Sequence, residues 1–465
     1  VEAAGVTNGG EALDPGRPRG CDVLVQGALL IATPDRVVPD AALAILDGRI
    51  AAAGPAATVA ATWSSDVVLD AEGGIVMPGL VNVHGHSPLV IVRGVAEDLG
   101  FAPAYTPRIP QGYSMSAEEA FALACLGLWE LLRAGSTTIV DMYRHPDALA
   151  RAAARLGPRA FVGGRIHDAD MRALAHGRWE HDPAVGRETL AETEALIDRW
   201  AGRSPRIAPI LCPHAPDTCS RALLREIGAL ARHTGLHVHT HLAQSAAEVA
   251  RVRDRDGLTP AALLDELGLL GPRLVAAHCI HLDGADMARV GRAGIAVAHA
   301  PIGNAAHGDI APVLDLARGG ARIALCTDAK SGDMFEAMRT ALAVARIRER
   351  GLPVRATDVL GWATAGGADA LGMKPGRLEP GDAADLVVLD AWAPNLAPVL
   401  SPVGSVVHNG TGANVRHVLV AGEILVRDGR CARADDRGLL RDAQAVAARM
   451  WAATGLHLPT DSRWI

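Results

Sequence analysis

Residues 79–89 read GLVNVHGHSPL, and the reading of this stretch decides the fold. An apolar run ends in two histidines one residue apart, His84 and His86, with Pro78 before the run and Pro88 after it. On an extended strand, residues two apart share a face, so both imidazoles can offer a nitrogen to one cation. With 18 histidines in 465 residues one such pair arises readily by chance, so its weight depends on what the rest of the chain brings beside it.

The run is the first of eight. GIVMPGLVNVH, STTIVDM, RAFVGGRIH, RIAPILCP, LHVHTH, LVAAHC, GIAVAHAP and RIALCTD follow one another between residues 75 and 350, separated by longer helical patterns. Eight strand–helix units imply an α/β chain folded as a (β/α)8 TIM-like barrel. The clearest helix opens in SMSAEEAFALACLGLWELLRAGSTT, where Ser116 and Glu119 fit a capping box and Gly135 stands where a helix stops. Residues 22–76, GDAADLVVLD (381–390) and VRHVLVAGEILVRDGR (415–430) have a different texture, short apolar runs broken by glycine. The expected division is a small β-sandwich domain built from 1–76 and 378–465, with the barrel inserted as 77–377.

Composition excludes several partners. The net charge of −7 comes from interleaved Arg and Asp/Glu, so no basic stripe exists for nucleic acid. No segment offers the roughly 18 uninterrupted apolar residues a membrane span needs, and the opening residues lack a leader pattern, so a cytoplasmic protein is expected. Seven scattered cysteines without a C-x-x-C pair read as reduced thiols.

Barrel enzymes keep their chemistry at the C-terminal ends of the strands. His84 and His86 are expected to end the first strand, His241 the fifth, His278 the sixth and Asp328 the eighth. His84, His86, His241 and Asp328 then make an N3O set with room for water, which suits Zn, Co, Mn or Fe. His237 and His239 share a face with His241 but lie deeper and are read as structural.

The motifs PGLVNVHGHSP, HAPDTCS, HTHLAQS, AHCIHL, AHAPIGN and CTDAKSGDMFEAMR resemble, in order, those of the amidohydrolase superfamily, in its chlorohydrolase and deaminase branch. DGRIAAAGP and GRLEPGDAADLVVLDA extend the likeness into the terminal segments, and the closest likeness is to the molinate and phenylurea hydrolases. The resemblance implies that His84, His86, His241 and Asp328 bind a catalytic divalent ion and that His278 hydrogen-bonds the nucleophilic water or a substrate carbonyl. Binuclear relatives bridge two ions with a carboxylated lysine, yet Lys330 and Lys374 are the only lysines here, so one transition metal ion per subunit is expected. A homo-oligomer, dimer or tetramer, is expected as well.

Two departures bear on the substrate. Deaminases of this branch read H-x-A-E after the fifth strand, whereas this chain reads His241-Leu-Ala-Gln244, and an amide cannot carry a proton to a departing nitrogen. A thiolate leaves with little protonation, so the expected reaction is attack on a carbamoyl carbon of a thiocarbamate such as molinate, or of a phenylurea. Gln244 would position and Asp328 would carry the proton; the alternative is an aminohydrolase or dechlorinase of a nitrogen heterocycle. The loop after the eighth strand is shortened and carries Lys330, so the substrate side is expected to be remodelled. Phe101, Tyr105 and Tyr113 of the first loop are candidates to meet a small apolar substrate. His214, His167 and Asn304 are further substrate candidates, and Arg172, Arg178 and Arg187 are candidates for the entrance rim, with Arg187 the one assigned to substrate.

Overall fold

The computed structural model describes residues 18–95, 109–110, 112–329, 331–374 and 376–455. Eight parallel strands carry the middle of the chain: β1 Leu80–Asn82, β2 Ser136–Tyr143, β3 Arg159–Ile166, β4 in two pieces, Ile207–Pro209 and Cys212–Pro213, β5 Val238–Leu242, β6 Leu274–His278, β7 Ala296–His299 and β8 Arg322–Leu325. β1 to β4 pair in sequence order, and so do β5 to β8. Isolated parallel bridges join the two groups at both seams, Leu211 with Val238 and Gly85 with Asp328. Each strand therefore has a parallel neighbour on either side, in cyclic order.

Local chemistry explains the irregular places. Pro209 and Pro213 lack an N–H for the ladder, and between them β4 breaks into two pieces that both pair with β3. The helix α1, Ala117–Arg133, starts where the capping box placed it: Ser116 Oγ accepts from Glu119 N–H at 3.2 Å, and the Glu119 carboxylate accepts from Ser116 N–H at 3.0 Å. Gly135, at φ 92°, ends it in a conformation that favours glycine. Val81, Val140, Met142, Cys212, Val275, Ala298 and Ala324, from β1, β2, β4, β6, β7 and β8, belong to one buried cluster.

The terminal segments form one mixed nine-stranded sheet. Ile75–Pro78 pairs antiparallel with Leu386–Leu389, Val76 opposite Val388, which joins the two ends of the chain. The outer hairpin returns to the same place, since Ile50 N–H donates to Asp382 O at 2.9 Å and Ala384 N–H to Gly48 O at 3.0 Å. Val25, Leu43, Ile45, Leu386 and Leu419 share one buried cluster beneath it. The last helix, α2, Asp436–Ala453, packs elsewhere: Leu439, Val446 and Trp451 share a cluster with Leu123 and Leu128 of α1, and Trp451 Nε1 donates to Ile91 O at 2.7 Å. Each leucine buried at that contact contributes about 2 kcal/mol.

Among the described residues, no helix is long and apolar enough to cross a membrane. All seven cysteines are free thiols.

Candidate active site

His241 and His278 lie in β5 and β6 as expected, but His84 and His86 lie beyond the end of β1 rather than at it. Where β1 ends, the Asn82 side chain turns across to the segment just after β8, donating to Thr327 Oγ1 at 2.7 Å and accepting from Thr327 N–H at 3.1 Å. Gly85, between the two histidines, then bridges to Asp328, itself beyond β8 and left-handed at φ 59°. His278 is left-handed too, at φ 72°. Non-glycine residues held in this region at strand ends mark places where tertiary contacts override local preference.

The side chains converge. His84 Nε2 and His86 Nε2 each lie 3.6 Å from Asp328 Oδ1, and His278 Nε2 lies 4.0 Å from Asp328 Oδ2. Ligand atoms of His84, His241 and His278 all lie within 4.8 Å of one another, as do those of His84, His86 and Asp328. Two ligands about 2.1 Å from a tetrahedral ion stand roughly 3.4 Å apart, so the spacing suits one ion. Three rings are oriented from behind: His86 Nδ1–H donates to Met142 O at 2.7 Å, His241 Nδ1–H to His214 O at 2.6 Å, and His278 Nδ1–H to Asn304 Oδ1 at 2.9 Å. Each such bond fixes the tautomer and turns an Nε2 lone pair toward the cluster. His84 Nε2 is buried without a hydrogen-bond partner, an arrangement a cation would relieve.

Burial favours the neutral forms of His86, His241 and His278, and the surrounding histidines favour the ionised form of Asp328. Burial, and then the neighbouring His84, push His86 down to about 3, and the same two causes lead in holding His241 well below its usual value. Burial alone would raise Asp328, yet the close approach of His84, followed by His278 and His86, carries it well below the usual carboxylate range. Neutral histidines and an ionised carboxylate are the protonation states that bind a divalent metal. Asp328 also needs space behind it, since a Cβ at Gly303 would fall 2.9 Å from its Oδ2.

The substrate candidates are not all together. His214 is buried with both nitrogens engaged: Arg165 donates to Nε2 at 2.9 Å, and Nδ1–H donates to Thr218 Oγ1 at 2.8 Å. Burial, then the Arg165 charge, hold it well below its usual pKa. His167 is turned back on its own loop, Nδ1–H donating to Ala169 O at 3.0 Å, and burial followed by Arg165 pushes it down to about 3. Asn304 serves His278, as described. Gln244 lies in the turn after β5, where Glu248 accepts the N–H groups of Ala243 and Gln244, each at 2.8 Å. Tyr113 packs with Trp179, Met171 and Leu174, and the Arg172 guanidinium lies 5.5 Å from its ring. Arg178 and Arg187 are exposed, the latter on the helix Pro183–Trp200. Phe101, Tyr105 and Lys330 lie outside the described residues.

Two residues beside the site escaped the sequence reading, and the partner of a third was not anticipated. His239, read as structural, lies against His84, with His239 Nε2 3.2 Å from His84 Nδ1 and the rings stacked. Arg165 and Asp141 were passed over, although a charged residue toward the C-terminal end of a strand read as part of the barrel is itself a signal.

Parallel strands with histidines and an aspartate converging at their C-terminal ends define a class of site found in metal-dependent barrel enzymes. The chain matches the amidohydrolase family over residues 75–425 and belongs to it. It is 35% identical to a 5-methylthioadenosine/S-adenosylhomocysteine deaminase of Nitratidesulfovibrio vulgaris (strain DP4), over 94% of this chain and 98% of that one. It is 33% identical to a 5'-deoxyadenosine deaminase of Methanosarcina mazei, over 92% and 98%. An adenosine deaminase from Xanthomonas campestris, solved with bound zinc, superposes with a TM-score of 0.85 at 28% identity, over 94% of this chain and all of that one. The protein is therefore an enzyme, a metal-dependent hydrolase of the amidohydrolase type. The expected likeness to molinate and phenylurea hydrolases is not supported by these relatives, which are deaminases.

Proposed function

We propose that the chain is a mononuclear metal-dependent aminohydrolase acting on a nitrogen heterocycle, with His84, His86, His241 and Asp328 as the ligands of one divalent transition ion. Two sets of ligand atoms that share His84, one with His86 and Asp328 and the other with His241 and His278, carry the reading. The names of the relatives support the heterocycle over the carbamoyl substrate expected from the sequence. The cyclic strand order is read as a (β/α)8 barrel, and the terminal sheet, which folds back to meet its own start, as a sandwich. The division proposed is 1–76 and 378–465 against 77–377, with two adjustments: the sheet strand Ile75–Pro78 moves wholly to the first unit and α2 to the second.

A divalent ion bound there supplies Lewis acidity and lowers the pKa of water toward neutrality. Asp328 accepts the proton the attacking water gives up, and His278, held by Asn304, orients that water by accepting a hydrogen bond at its Nε2 lone pair. The carbon–nitrogen bond then breaks, ammonia leaves with a proton returned from Asp328, and the ring keeps the oxygen. The Arg165–His214–Thr218 chain presents a polar wall beside His241, which suits ring nitrogens better than a wholly apolar substrate.

Gln244 favours a second reading, because without a carboxylate there a good leaving group is an advantage. A thiolate from a thiocarbamate, an aniline from a phenylurea or chloride from a triazine would then be the group expelled. The purified holoenzyme is to be assayed against adenosine-type nucleosides, triazines, thiocarbamates and phenylureas, following ammonia, chloride, thiol and aniline. Ammonia release as the fastest reaction supports the first reading; turnover confined to thiocarbamates or phenylureas overturns it in favour of the second.

A further inference from the structure

The segment 85–87 has left the strand ladder and yet must hold His86 on target. β2 supplies the grip. Met142 N–H donates to Gly85 O at 3.1 Å, and Met142 O accepts from His86 Nδ1 at 2.7 Å. One residue earlier, Asp141 takes hold of Ser87 with both carboxylate oxygens: Oδ1 accepts the Ser87 N–H at 2.8 Å, and Oδ2 accepts the Ser87 hydroxyl. Helix α1 closes the other side, since a Cβ at Gly127 would fall 2.3 Å from Ser87 O and 2.9 Å from Ser87 Cα.

Asp141 is 1% exposed, in a strand whose eight residues are all buried and otherwise uncharged. An ionisable side chain is costly in such a place unless its hydrogen bonds are needed. It belongs to neither of the groups of converging ligand atoms, so its role is not ligation. We infer that Asp141 is a positioning residue for the metal ligand His86, acting through Ser87, an inference that rests on the ligand assignment proposed above. Gripped at Gly85, His86 and Ser87 in succession, the imidazole cannot swing away from Asp328 without breaking a bond to β2.

The test is a titration of Zn(II) into the metal-free full-length protein, with visible absorption of the Co(II)-saturated forms and thermal unfolding of the metal-free forms alongside. Asp141→Ala is expected to weaken zinc binding about 10- to 100-fold and to shift the Co(II) bands at saturation. In a His86→Ala background the same change is expected to alter zinc affinity by less than about twofold, because the ring it positions is gone. Should Asp141→Ala not fold, Asp141→Asn and Ser87→Ala carry the test, each with a weakening of roughly threefold or more. Zinc affinity and Co(II) bands like those of the wild type, with only the unfolding temperature lowered, would overturn the inference in favour of a structural role. A full loss persisting in the His86→Ala background would overturn it too. If wild-type protein binds no stoichiometric zinc, or His86→Ala and Asp328→Asn bind it as tightly as wild type, the ligand assignment itself fails and the inference falls with it.

Discussion

The two sides of the site are built differently. On the side of β1, β5, β6 and β8, His86, His241 and His278 each have a dedicated hydrogen-bond partner, and Asn82, Gly85 and Gly303 fix the backbone around Asp328. On the side of β3 and β4, and at the turn after β5, stand the groups proposed for the substrate: a buried arginine, a histidine engaged at both nitrogens, and a glutamine where the resemblance implies an acid. The first side is over-determined, as the proposed metal centre requires; on the proposed reading the second holds what distinguishes one substrate from another.

Substitutions that break this contrast rank by the side they touch. Asp328→Asn replaces the carboxylate proposed as both ligand and proton acceptor, and turnover is expected to fall at least about a thousandfold with loss of bound metal, checked by kinetics and elemental analysis. Chelation of the wild type should abolish turnover and readdition of Zn(II) or Co(II) restore it. Asn304→Ala frees His278 without touching a proposed ligand, so kcat should fall about 10- to 100-fold at unchanged metal content. Gln244→Glu sharpens the contrast: it should raise ammonia release from a heterocycle roughly tenfold if a carboxylate there can carry a proton, and leave carbamoyl cleavage within about tenfold of wild type. Arg187→Ala, on an exposed helical surface, should leave stability within about 0.5 kcal/mol and turnover unchanged.

The same contrast governed what could be read from the chain. The strand order, the capping box at Ser116 and the convergence of His84, His86, His241, His278 and Asp328 were legible because period, spacing and residue type report directly on backbone and ligand chemistry. The route was less legible: β1 stops at Asn82, and Asn82 with Gly85 carries His84 and His86 to Asp328 through contacts more than 240 residues apart in the chain. Long-range side-chain bonds leave no local pattern, which is why the His239–His84 contact and the Asp141–Ser87 grip were missed. Asn304 was named only as a substrate candidate, and the bond that holds His278 to its oxygen was not anticipated. The leaving group was argued from Gln244 alone, and one amide in place of an acid changes how a proton travels without specifying what departs.

The most direct measurement is the metal content of the purified wild-type enzyme and of its His86→Ala, His241→Ala and Asp328→Asn variants, set against turnover in the same samples. One equivalent of a divalent transition ion per chain, lost together with turnover in all three variants, is the result expected. Two equivalents in the active wild type, or full occupancy retained in the variants, would contradict the mononuclear site.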